Sequence, residues 1–254
     1  MPDAAQPPGP PPRGPRTPGP PPAHHHRDVN GGWLRPAVFG AMDGLVTNVS
    51  LITGVNAGGG TAHAVALTGL AGLVAGAFSM ATGEYVSVTS QNELITGEVD
   101  RERHELHRNP IGEQAELAAV FRGQGVDRDL AQAVAAQISA QPDQGLGLHV
   151  REELGVDHED LPSPWTAAGA SFTAFSLGAI VPLAPFLFAA RLSAATAIAV
   201  TLGLSALFAF LGGGLVGRLT SRPFWFAGGR QLLLAGLAAG ATYLIGLAVG
   251  TSIG

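Results

Sequence analysis

Two stretches of the chain, residues 36–90 and 164–254, are almost unbroken apolar sequence, and a polar stretch at 91–160 lies between them. The apolar stretches break at Ala57-Gly58-Gly59-Gly60, at Arg191 and between Arg218 and Arg230. The pieces have the length a helix needs, about 20 residues, to cross a hydrocarbon layer of about 30 Å. They predict membrane spans near 36–56, 64–88, 165–189, 193–216 and 231–252. Pro182 and Pro185 fall inside the third and predict a kink or interruption there, because proline removes a helix donor and crowds the preceding turn.

The polar stretch has helices of its own. Gln91 to Arg108 contains no proline, and Asn109-Pro110 supplies a stop followed by an N-cap and a first-turn proline for a second helix, which ends near Gly123 or Gly125. Asp127 can cap a third helix that runs to about Gln141, where Pro142 ends it. A last short helix, from about Leu148 to Leu154, stops at Gly155.

Charge sharpens this division. Of the 33 charged side chains, residues 91–160 hold 15 acidic and 6 basic ones, whereas residues 36–90 hold only Asp43 and Glu84. Arginines cluster before the first span, between the second and third, and between the fourth and fifth, while the opposite connections offer only Arg191. By the positive-inside rule the amino terminus and acidic block face the cytosol and the carboxyl terminus faces out. Residues 1–33 form a separate, disordered tail: eleven of the first 22 residues are proline, and there is no apolar signal segment. His24, His25 and His26 in this tail read as low-complexity sequence rather than a metal site.

Composition removes several function classes. With no cysteine, the chain has no disulfide, thiolate metal site or cysteine nucleophile. A net charge of -5 argues against nucleic-acid binding. No phosphate-binding glycine loop with its lysine, no Gly-x-Ser-x-Gly and no His-Glu-x-x-His occurs, so the chain lacks the parts of an ATPase or hydrolase and is not expected to be an enzyme. Glu-x-x-His is also absent, which counts against a ferritin-like di-iron core.

What remains is cation chemistry. Glu98, Glu102 and Glu105 share one helix face, Glu113 and Glu116 share another, and His149 and Glu153 stand one turn apart. Carboxylates and an imidazole aimed into one space suit a divalent metal of intermediate hardness, and a solvated acidic face is the competing reading. In the membrane, Asp43, Thr47 and Ser50 make one polar stripe, and Met80, Glu84, Ser87 and Gln91 make a second that runs into the acidic block. An ionisable group in a span marks a functional site by default. Asp43 and Met80 lie at similar depth, so a thioether with carboxylates would suit Fe²⁺, with Mn²⁺ and Zn²⁺ also fitting. The other readings are a structural hydrogen bond for Asp43 and core packing for Met80. Glycine pairs at 40/44, 72/76, 236/240 and 246/250 offer close helix contacts that permit a homodimer.

Three motifs in order, Asp43-Gly44-Leu45-Val46-Thr47-Asn48, Gly76 through Ser87, and Glu152-Glu153-Leu154-Gly155, resemble the vacuolar iron transporter family from about Leu34 onward. The resemblance implies an all-α polytopic homodimer, with five transmembrane helices per subunit (34–90 and 162–254) and an inserted cytosolic three-helix metal-binding domain at 91–161. It implies exchange of cytosolic Fe²⁺, and often Mn²⁺, for protons, with no tightly bound cofactor. By position it assigns Asp43 and Met80 to the translocation site. Glu102, Glu105, Glu113, Glu116 and Glu153 become cytosolic ligands. His149 stands where the family commonly has methionine, which changes the metal preference and pH response expected there. Glu84, Thr47 and Ser50 complete the expected path. A membrane-anchored metal sensor or buffer without transport is the alternative. Arginine as the sole strongly basic residue and the lack of an organelle address point to a bacterial cytoplasmic membrane.

Overall fold

The computed structural model describes residues 32–155, 160–188 and 192–253, with the side chains of residues 142–144, 153, 154, 188, 252 and 253 outside that description. The tail histidines, Arg191 and the side chain of Glu153 therefore lie outside the described residues. The described residues form helices α1 (Leu34–Ala57), α2 (Ala62–Arg108), α3 (Pro110–Gly123), α4 (Arg128–Ser139), α5 (Pro142–Leu154), α6 (Pro164–Phe188), α7 (Ala194–Leu219) and α8 (Phe224–Ile253), with no strand among them.

Five helices, α1, α2, α6, α7 and α8, are long and apolar enough to cross a membrane. Their outward faces keep large apolar side chains in the open: Leu67, Phe78, Leu177, Leu233 and Leu244 are each at least 60% exposed. Such a surface needs hydrocarbon rather than water as its solvent.

Several boundaries differ from the sequence expectation. Helix α2 does not stop where the second apolar span does, near residue 88; it continues without a break for 47 residues, about 70 Å at helical rise, more than twice the thickness of a hydrocarbon layer. Helix α6 continues through Pro182 and Pro185 as one element, so of the kink or interruption expected there the interruption is absent. The last span begins at Phe224, not at 231, which places Arg230 inside a helix. An arginine near a membrane interface can extend its head to water, so its charge does not end a helix. Helix α5 begins at Pro142 rather than near Leu148, the proline that ends one helix serving as the first-turn residue of the next.

The helix ends follow local chemistry. The Asn109 side chain accepts from the Gly112 amide at 3.2 Å, so this residue closes α2 and caps α3. The Asp127 carboxylate accepts from the Asp129 amide at 2.9 Å. Gly155 ends α5 in the left-handed region at φ +67, where a side chain would be strained.

Helix α1 is the hub of the membrane bundle and packs against α2, α6, α7 and α8. Glycine makes this possible. A β-carbon on Gly40 would sit 2.8 Å from the Ser171 carbonyl, and one on Gly44 would collide with the Phe175 carbonyl. Gly178 of α6 returns the contact against Ala41, and Gly246 and Gly250 of α8 press on Gly54 of α1 and on Gly58, which caps it. The 236/240 pair, by contrast, has no atom in reach among the described residues.

Candidate metal centre

Helix α5 is held on two sides. Leu146 and Val150 pack with Val99 of α2, with Ile95 and Leu106 around them. Leu148 packs against Leu117, Ala118 and Ala135 of the α3–α4 pair. His149 is thereby driven between α2 and α3, where it is 3% exposed. Its Nδ1 lies 3.3 Å from Glu102 Oε1 and 3.8 Å from Glu113 Oε2. Glu113 is buried, at 7% exposure.

Ligand atoms of Glu102, Glu113 and His149 all lie within 4.8 Å of one another. One divalent ion with bonds of about 2.1 Å closes that separation by side-chain adjustment. Two carboxylates in a poorly solvated space also need positive charge beside them, which a dication supplies. Oxygen and nitrogen donors fit the middle of the first transition series.

The other sequence candidates are placed differently. Glu105 and Glu116 are exposed and outside this three-residue group, each one turn beyond a member of it. Glu98 is engaged by Arg101 at 2.9 Å, and Glu152 accepts a hydrogen bond from Gln124 at 3.2 Å. His104 and His107 are exposed.

In the membrane bundle, Asp43 is half-buried, and the Thr47 hydroxyl donates to its Oδ1 at 3.4 Å. Met80 packs on the cluster of Ala77, Phe175 and Ala179. Phe175 stands between the two helices, its backbone beneath Gly44 and its ring against Gly76. The turns that carry Asp43 and Met80 thus flank the same aromatic residue of α6. Ser50 lines a cavity of about 600 Å³ between α1 and α8, together with Gly54, Thr242 and Gly246. Glu84 is half-buried on the same helix as Met80, one turn toward the acidic block.

Sequence reasoning passed over Asn48. Its side chain is fully buried and donates to the Ala179 carbonyl at 2.7 Å, while its Oδ1 has no hydrogen-bond partner among the described residues. Ser171 and Ser205 are likewise buried with unpartnered hydroxyls. Asn48 stands five residues after Asp43, about 140° around the helix, and so falls off the Asp43–Thr47–Ser50 stripe. The available signal was an amide inside an apolar span.

Comparison with known proteins now bears on this geometry. The sequence profile of the VIT family matches residues 34–247. The vacuolar iron transporter of Acanthamoeba castellanii is 40% identical over 152 residues, which cover 60% of this chain and 54% of that protein. The chain thus spans about half the length of that relative. Vacuolar iron transporter homolog 1 of Oryza sativa subsp. japonica is 37% identical over 218 residues, 83% of this chain and 71% of its own. Vacuolar iron transporter homolog 1 of Arabidopsis thaliana is 36% identical over 223 residues, 86% of this chain and 84% of its own. Because the profile runs from the first residue of α1 into the last turns of α8, through every span and through the Glu102–Glu113–His149 group alike, the chain belongs to the VIT family.

Proposed function

We propose that the protein is a membrane transporter, not an enzyme, that takes divalent iron from the cytosol and passes it across the membrane in exchange for protons. Mn²⁺ is the second cargo this donor set suits. The observation that carries the reading is a largely buried two-carboxylate, one-imidazole group, one carboxylate of which, Glu102, stands on a helix continuous with the membrane body. Helix α2 bears Glu102 in the helical block and Glu84 eighteen residues earlier, about 27 Å away along one rigid element.

In this reading Glu102, Glu113 and His149 collect the ion, with Glu105, Glu116 and Glu153 as further ligands around them. Glu84 receives it at the membrane mouth. Asp43 and Met80 hold it in the bundle, with Thr47 and Ser50 along the path. The working unit is a homodimer in the cell membrane, with the amino terminus and helical block cytosolic and the carboxyl terminus outside.

Full-length protein in proteoliposomes with an acidic lumen tests the reading. Fe²⁺ and Mn²⁺ should enter the lumen, and collapse of the pH gradient should stop them. Metal binding without flux would identify a membrane-anchored buffer or sensor instead. The collecting site has its own test. Loss of an outer-shell partner alone costs about 10- to 100-fold in metal affinity, so removal of a ligand should cost at least as much. Glu113→Gln is therefore expected to weaken Mn²⁺ binding by at least about tenfold in titration calorimetry. Unchanged affinity would remove this group from the pathway.

A further inference from the structure

A second site lies at the membrane surface, away from the metal residues. A cleft of about 280 Å³ opens between α1, α7 and α8, and two guanidinium groups, Arg35 and Arg230, line it. They stand far apart in sequence, in the first turn of α1 and the second turn of α8. Both are exposed, and neither has an ion-pair partner among the described residues. Three other arginines are engaged: Arg101 and Arg103 pair with acids, and Arg218 lies over the Phe224 ring at 5.0 Å.

The remaining walls are mostly apolar, with Val38, Phe39, Met42 and Val216 prominent among them. From Arg35 to Met42 the α1 wall descends seven residues, about 10 Å at helical rise. Gly213 lets α7 approach α8 closely, since a β-carbon there would meet the Ala227 carbonyl at 2.8 Å. The cleft is thus cationic at its mouth and apolar along its depth.

The connectivity places it in the membrane. Helices α1, α6 and α8 begin, and α2 and α7 end, on the side where α2 runs on into the helical block. Arg35 and Arg230 therefore lie at that interface, with apolar spans beneath them. A soluble anion would leave the apolar walls uncovered, and a neutral lipid would leave the guanidiniums without a partner. Paired guanidiniums recognise phosphate oxygens, and basic pockets between membrane helices bind anionic headgroups.

We propose that this cleft is a binding site for one anionic phospholipid, its phosphate between Arg35 and Arg230 and its glycerol and upper acyl chain along Val38, Phe39, Met42 and Val216. The site adjoins the Asp43 turn through Met42, so its occupant helps to set the position of α1 against α7 and α8.

The test is native mass spectrometry of the full-length protein, exchanged into mixed phosphatidylglycerol and phosphatidylcholine micelles. Wild type should retain phosphatidylglycerol over phosphatidylcholine by on the order of 30-fold, the value expected of two surface cations acting together. R35Q-R230Q should lose that preference, R35K-R230K should keep most of it, and R222Q, at the α7–α8 connection, should leave it intact. Should R35Q-R230Q fail to fold, displacement from wild type decides: a tenfold excess of isotope-labelled phosphatidylglycerol replaces the retained lipid and a tenfold excess of labelled phosphatidylcholine does not. An equal preference in R35Q-R230Q, an equal loss in R222Q, or displacement by inorganic phosphate would overturn the proposal.

Discussion

Asp43→Asn is expected to reduce proton-driven Fe²⁺ and Mn²⁺ flux in proteoliposomes by about 100-fold or more. Moving a charge into the centre of a span costs about 2.5–3.5 kcal/mol on the insertion scale. A dication that crosses without its counter-carboxylate meets at least a penalty of this order, about 100-fold in rate. Asparagine has nearly the shape of aspartate, and its carbonyl can still accept from the Thr47 hydroxyl. The neighbouring contact of Gly44 with Phe175 involves no Asp43 atom, so the bundle should assemble unchanged. Flux can be followed with a lumenal metal-sensitive dye, and the mutant's elution on size exclusion reports its fold. Mn²⁺ affinity at the helical block should stay at the wild-type value, because Asp43 is not among its ligands. Flux within about twofold of wild type in a correctly folded D43N protein would remove Asp43 from the translocation path. Met80→Leu should have a smaller effect on rate and should chiefly reduce discrimination for Fe²⁺, since only the soft thioether donor is lost.

Gly44→Ala should be among the most damaging single-methyl changes in the bundle. In an open helix position this substitution is favourable by about 0.8–1.0 kcal/mol, through propensity alone. At residue 44 the added methyl would collide with the Phe175 carbonyl, which is backbone and cannot swing aside. Gly178 against Ala41 makes the same close contact in the reverse direction, so α1 and α6 can separate only together. Separation also lengthens the Asn48 to Ala179 hydrogen bond, one turn further along. Overpacking of this kind costs about 1–3 kcal/mol. For a chain of this size that corresponds to a fall in Tm of roughly 2–12 °C. Gly240→Ala is the matched control: beyond its own helix backbone and chain neighbours, no heavy atom of the described residues lies within 4 Å of its added carbon, so its Tm should hold or rise slightly. Equal melting temperatures for G44A and G240A in detergent would contradict the packing assigned to α1 and α6.

The spans were legible because a hydrocarbon layer demands about 20 consecutive apolar residues, a requirement met locally. Helix caps at Asn109, Asp127 and Gly155 were legible for the same reason, each being a contact within a few residues. The errors came where local chemistry is ambiguous. Arg230 read as loop because it is charged, although Pro223 followed by Phe224-Trp225-Phe226 carries the better signal, a helix start with interfacial aromatics. By contrast, the stripe of Met80, Glu84, Ser87 and Gln91 read as running from the second span into the acidic block, and α2 is continuous there because nothing in it breaks a helix.

Site residues divide in the same way. The spacing of Glu98, Glu102 and Glu105 selects a face of α2, but the position of α5 selects Glu102 from that face. Glu113 is buried and Glu116 exposed although they share a face of α3, because only Glu113 lies near the histidine. The pattern of small residues four apart picked out 40/44 and 246/250, which seat neighbouring helices, and equally 236/240, which seats none among the described residues.

By itself, then, the sequence determined the helical class, the five spans, the acidic block between them and the family, all of which depend on composition and on neighbours along the chain. Only the tertiary structure decided which acids meet His149, which glycines touch a partner helix, that Asn48 bridges α1 and α6, and that Arg35 and Arg230 share one cleft. The physical reason is that spacing specifies the faces of a single helix. The partner each face meets is set by packing between segments far apart in the chain, as with Asn48 and Ala179, which are 131 residues apart.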